Sequence, residues 1–238
     1  MPQIRDLIHK SDPYQNFPLD EHPHDPQGWG AAPNVFKALI DGVRPSIVIE
    51  VGSWKGASAV RMAQFAKAAG LHPEIVCVDT WLGSPGLYTR KDDKFYESLR
   101  FEFGYPRLYH TFLSNVIRAG FPDVITPFPL PSLLAAEVLA HFKVQADLIY
   151  IDAAHDYGSV IADLEAYWPL LKADGVLFGD DYIKAWPGVV KAAKTFAARE
   201  KRSLYAGSGK FIIAKDLERR FDPSSIAGIS AVAGVSAA

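Results

Sequence analysis

The sequence predicts an α/β protein: a doubly wound sheet of seven strands with the last strand antiparallel. Three observations carry this expectation. Short apolar runs rich in Val and Ile alternate with longer segments of helical period. Several of those runs are continuously apolar, which marks strands covered on both faces, as in a parallel sheet. The last two runs are separated only by Gly207-Ser208-Gly209, a connection short enough to make them an antiparallel hairpin.

Taken in order, residues 1–30 hold Pro2, Pro13, Pro18, Pro23 and Pro26 together with His9, His22 and His24. Proline fixes φ and removes a donor, so an irregular arm lying over the rest is expected. Residues 31–222 form the domain. Strands are expected at 46–51, 74–79, 123–128, 147–152, 175–180, 203–207 and 210–215, with helices at 57–69, 159–171 and 188–199. In the second helix Val160, Leu164, Tyr167 and Leu171 form one stripe, and Pro169 bends its last turn. An insertion at about 82–115 carries Tyr88, Phe95, Tyr96, Phe101, Phe103, Tyr105 and Tyr109. Residues 223–238 are uncharged and mostly small, and are expected to be a flexible tail.

Composition narrows the class. Hydrophobic residues make up 49% and charged ones 22% of 238 residues, which excludes disorder as the main state. A net charge of −2 draws the chain to neither nucleic acid nor an anionic membrane. One cysteine, Cys77, excludes an internal disulfide and a cysteine-cage zinc site. No apolar run suits a signal peptide or a membrane span, and the expected location is cytoplasmic. The oligomeric state stays open, a homodimer included.

Function is sought where strands end, because doubly wound sheets bind ligands outside the carboxyl ends of their strands. After the first strand comes Glu50-Val51-Gly52-Ser53-Trp54-Lys55-Gly56-Ala57-Ser58. Gly52 and Gly56 let backbone approach a ligand at a strand-to-helix turn. A dinucleotide fingerprint needs G-x-G, but position 54 is Trp, too bulky for close pyrophosphate contact. Glu50 would repel a pyrophosphate and attract an ammonium or sulfonium. Asp79, closing the second strand, can accept both hydroxyls of a ribose. The ligand that fits is S-adenosylmethionine. The segment EVGSWKGASAVRMAQ resembles the first motif of class I methyltransferases, particularly catechol O-methyltransferase and its relatives, whose fold is Rossmann-like. By that resemblance Gly52 and Gly56 line the cofactor, Ser58 holds its carboxylate and Asp79 its ribose. Thr80, Trp81 and Ser132 border the adenine.

The reaction signature lies in residues 146–182. Asp152 ends the fourth strand, and Asp180-Asp181 end the fifth, so parallel neighbours put three carboxylates on one edge. Like charges crowded in a cleft need a cation, and hard oxygen ligands suit Mg²⁺, Ca²⁺ or Mn²⁺. The segment resembles metal-dependent small-molecule O-methyltransferases of the macrocin type, whose metal pattern falls on Asp152, Asp180 and Asp181. His155 stands three residues after Asp152, where catechol O-methyltransferase has a lysine base. An imidazole there suits proton collection at neutral pH, its structural alternative being a cap for the next helix or a hydrogen bond to a nearby carboxylate.

The expected function is O-methylation of a phenol, sugar or polyketide hydroxyl, with Mg²⁺ as the metal. The insertion and the arm, Trp29 included, should cover the cleft. The rivals are a metal-independent N- or O-methyltransferase, a nucleotide-binding oxidoreductase and a non-catalytic cofactor-binding protein.

Overall fold

A computed structural model describes residues 3–28, 33–90, 95–216 and 221–235. Its strands are β1 Ile47–Val51, β2 Glu74–Val78, β3 Ile125–Phe128, β4 Ala146–Ile151, β5 Leu171–Gly179, β6 Tyr205–Gly207, β7 Lys210–Ala214 and β8 Ser230–Ala231. The helices are α1 Ile4–Ile8, α2 Pro33–Val43, α3 Ala57–Ala68, α4 Pro85–Thr89, α5 Leu108–Ala119, α6 Ser132–His141, α7 Tyr157–Tyr167 and α8 Pro187–Arg199. All eight strands share one sheet in the order β3-β2-β1-β4-β5-β7-β6-β8. The first five are parallel, and β7 runs antiparallel to both β5 and β6. The doubly wound α/β expectation therefore holds, with one strand more than the seven expected.

Strand residues alternate between the two faces, and each face is covered. Val48, Cys77, Tyr150 and Phe178 pack with Phe36 and Leu39 of α2, Met62 of α3 and Phe112 of α5. Ile49, Val78, Ile151 and Leu177 pack on the other side with Leu139 of α6, Leu164 of α7 and Phe196 of α8. Burial on both faces is what the continuously apolar runs require.

Four expected boundaries move. The predicted helix at 159–171 ends at Tyr167, because Pro169 cannot donate to the ladder; a 3₁₀ turn over Trp168–Leu170 follows and Leu171 opens β5. The insertion is 82–107 instead of 82–115, since α5 is the crossover helix from β2 to β3 and fills its usual place. The arm is not irregular throughout. Its α1 lies along β3, with the Ile4 and Arg5 amides donating to the Glu74 carboxylate and Tyr14 Oη to the Ile125 carbonyl at 2.9 Å. This covers the edge strand, where Pro127 is tolerated for lack of a partner. Finally, the expected tail contributes β8, which pairs with β6 while Ile226 and Ile229 bury their side chains. Trp29 lies outside the described residues. No helix among them is long and apolar enough to cross a membrane.

Candidate active site

The glycine turn after β1 is built by contacts only glycine permits. Gly52 has φ +88°, and a Cβ on it would stand 2.1 Å from the Asp152 carbonyl oxygen and 2.7 Å from Ala153 Cα. Gly56, at φ +86°, opens α3 against the Phe112 ring. The turn thus lies directly on the backbone that follows β4, an approach that a side chain at position 52 would forbid.

Asp79 organises the same loop from β2. Its Oδ2 accepts the Ser53 and Trp54 amides, both at 2.9 Å, and Oδ1 accepts the Trp81 amide at 2.7 Å. The Thr80 amide adds to these, so Asp79 is engaged chiefly in holding the loop. Burial pushes its carboxyl above the ordinary range, while those amides hold it down. Thr80 beside it is half-buried, as is Ser58 on the first turn of α3.

Glu50 does not face the cleft. It is 0% exposed, between Cys77 and Tyr150 of the neighbouring strands, and its Oε2 accepts from Ser53 Oγ at 2.7 Å and Cys77 Sγ at 3.3 Å. It braces the turn from beneath. Burial raises its pKa from 4.5 to about 7, against hydrogen bonds from Ser58, Ser53 and Cys77. A carboxyl raised on folding binds more protons in the native state between those two values, so stability falls as pH rises from about 4.5 to 7. Glu50→Gln should therefore gain roughly 2–3 kcal/mol over the wild type at pH 8 and little near pH 4.5. Thermal unfolding at both values checks this; equal shifts at both would show that the charge is not the cause.

Trp81 also departs from expectation, and Ser132 has protein partners of its own. Trp81 is 1% exposed, with Nε1 donating to the Trp54 carbonyl at 2.7 Å and its ring against Tyr109 and Phe112. It holds the turn in the core and borders no cleft. Ser132 hydrogen-bonds Asp163 through its side chain and accepts the Tyr167 hydroxyl on its carbonyl at 2.8 Å, so it ties α6 to α7.

The acidic edge converges as expected, with one change of partners. Asp152, His155 and Asp181 each offer a ligand atom, all within 4.8 Å of one another. His155 Nε2 lies 2.5 Å from Asp181 Oδ2, and its ring stacks on Trp186 at 4.3 Å. Asp156 caps α7 by accepting the Ser159 amide, so His155 is not the cap. Asp181 sits at φ +58°, a backbone state unusual for a residue other than glycine, which turns its side chain onto that imidazole. Asp152 is pushed well above the carboxylate range by burial first and by Asp180 and Asp181 next.

Asp180 turns the other way. Its Oδ2 is paired with Lys210 Nζ and accepts Tyr150 Oη at 2.7 Å, and its Oδ1 accepts the Asp181 amide at 2.7 Å. Tyr150 Oη also reaches Asp152 Oδ2 at 3.1 Å. Lys210, 1% exposed, was not singled out from the sequence. The signal was present: β7 is antiparallel, so its first residue stands at the edge where parallel strands end, and a lysine opening an apolar strand there needs an anion.

Lys55 is the second residue missed. It is 2% exposed, and its Nζ meets Asp25 Oδ2 at 2.6 Å, Ser98 Oγ at 2.9 Å and Gln27 Oε1 at 3.2 Å. Asn115 adds bonds to the Asp25 backbone and to the Lys55 carbonyl. Arm, insertion and glycine turn are thus joined at one buried ammonium. Lys55→Met should cost about 2 kcal/mol, discounted because Asp25 is partly exposed, and should open the arm to proteolysis near residues 20–28. Denaturant midpoints and mass-mapped cleavage sites check it, with intact cleavage resistance as the contrary result.

Comparison with known proteins was decisive. A family described as a methyltransferase domain matches residues 49–182, more than half of the chain. The chain belongs to this methyltransferase family. Among curated proteins the chain is 26% identical over 172 residues to the uncharacterized protein y4gI of Sinorhizobium fredii. The match covers 71% of this chain and 17% of that relative, so the chain spans about a sixth of its length. Among solved structures the chain is similar to NovP, an O-methyltransferase, at TM-score 0.59 and 15% identity, over 81% of this chain and 82% of that one. It is also similar to an O-methyltransferase from Bacillus cereus in complex with SAH, at TM-score 0.55 and 18% identity, over 89% and 95% of the two chains. A third is CalS11, a calicheamicin methyltransferase, at TM-score 0.54 and 18% identity over 77% of each. At these identities the structures establish the shared fold.

Proposed function

We propose that this methyltransferase moves a methyl group from S-adenosylmethionine to a hydroxyl of a small molecule, with a divalent cation at the acidic edge. The observation that carries this is the contact of Gly52 with the Asp152 backbone, which sets the cofactor turn against the carboxylates. The donor set fits both groups. Gly52 lets the turn pack on the Asp152 backbone, Asp79 holds that turn from the end of β2, and Asp152 with Asp181 offers two hard oxygens.

A bound divalent cation would lower the pKa of the acceptor hydroxyl. The protein's own residues do the rest. A carboxylate only accepts, so Nε2 of His155 donates to Asp181 and the lone pair stands on Nδ1. That nitrogen takes the substrate proton, while Trp186 fixes the ring plane. Attack on the sulfonium methyl is then in line, with alignment and exclusion of water as the main contributions. A cavity of about 860 Å³ lies between the arm and the insertion, lined by His22, Tyr96, Arg100 and Arg107 among others, apart from the acidic edge.

Turnover of a hydroxylated panel should vanish with EDTA and return with Mg²⁺. Turnover indifferent to EDTA favours the metal-independent rival, and S-adenosylhomocysteine failing to bind at all would remove the cofactor from the reading.

A further inference from the structure

We propose that Lys210 is a positioning residue: its ammonium holds Asp180 outside the ligand set, so the cation is carried by Asp152 and Asp181 alone. This rests on the divalent-cation reading above and departs from the three-carboxylate set expected from the sequence. Asp180 spends both oxygens on protein donors, namely Lys210 and Tyr150 on one and the Asp181 amide on the other. Asp152 and Asp181 instead face His155. Tyr150 connects the two halves, since its hydroxyl reaches Asp180 at 2.7 Å and Asp152 at 3.1 Å.

The charge balance gives the arrangement a purpose. Three carboxylates and one buried ammonium leave two negative charges, matched by one divalent ion. An ammonium this close also repels an incoming cation, so binding is weak and the ion exchanges with substrate present. Lys210 lies 5.7 Å from the Phe36 ring centroid and 5.9 Å from that of Tyr150, an aromatic wall that fixes the ammonium where solvent cannot replace it.

Removing the ammonium should therefore tighten metal binding, a result no loss of packing produces. Mn²⁺ titrations read by the electron paramagnetic resonance of the free ion test this on the full chain. Lys210→Met should bind Mn²⁺ about tenfold more tightly, as Asp180 becomes a ligand, while Lys210→Arg stays near the wild type. Asp181→Asn should weaken binding about tenfold or more. Should Lys210→Met fail to fold, the neutral pair Lys210→Met with Asp180→Asn removes both charges of the buried pair, and should bind Mn²⁺ within about threefold of wild type. Unchanged or weaker binding by folded Lys210→Met, a tenfold loss in the double variant, or no Mn²⁺ bound by wild type at millimolar concentration would each overturn the proposal. Calorimetry with S-adenosylhomocysteine on the same samples tests the cofactor separately, so failure of one reading is distinguishable from failure of the other.

Discussion

Asp181→Asn should lower turnover on the order of 10³-fold while S-adenosylhomocysteine affinity stays within about threefold. Two losses combine at this residue. The amide is a poorer ligand than the carboxylate for a divalent cation, and it no longer holds the imidazole in the tautomer with Nδ1 free. The Nε2–Oδ2 separation of 2.5 Å is what couples them. The cofactor turn is untouched, because its contact on β4 is to the Asp152 backbone. Single-turnover rates together with cofactor calorimetry read the two effects apart. Parallel loss of turnover and cofactor binding would mean that the edge is structural. His155→Gln separates them further: it keeps a polar group beside Asp181 and removes the base, so its deficit should shrink as rising pH ionises the substrate hydroxyl itself.

Gly52→Ala should abolish cofactor binding and destabilise the fold by more than about 3 kcal/mol. The methyl would meet the Asp152 carbonyl oxygen at 2.1 Å and its carbon at 2.5 Å, on backbone that the Asp152 amide ties to the Val51 carbonyl at 2.7 Å. The left-handed φ adds about 1–2 kcal/mol. Gly70→Ala is the control: its φ is +68° but nothing stands within 4 Å of the added Cβ, so it should cost only the conformational part. Comparable chemical denaturation for both variants would show that strain, and not the clash with β4, governs position 52.

Much of this site was legible along the chain, for reasons that differ by residue. Asp152, Asp180 and Asp181 end parallel strands, and parallel register puts such ends side by side whatever the details of packing. Gly52 and Gly56 announce a turn that side chains cannot make. What sequence spacing does not carry is the direction in which a side chain at such an end points. Glu50 stands beside the turn in sequence and Trp81 two residues after Asp79, yet strand alternation and the left-handed bend at Trp81 send both inward. Asp180 and Asp181 are neighbours in sequence and face opposite partners.

The chain's own pattern was sufficient for the doubly wound architecture, the glycine turn and the gathering of acidic groups at one edge. Period, glycine placement and strand ends are local signals, and local signals survive without knowledge of the fold. Only the folded molecule decided which cation each carboxylate meets. Lys210 and Lys55 come from a distant hairpin and from the turn itself, and each finds its anions across the tertiary structure. Buried ammonium groups cannot stay unpaired in a low-dielectric interior, so their partners are fixed by three-dimensional proximity, which spacing along a polymer does not encode.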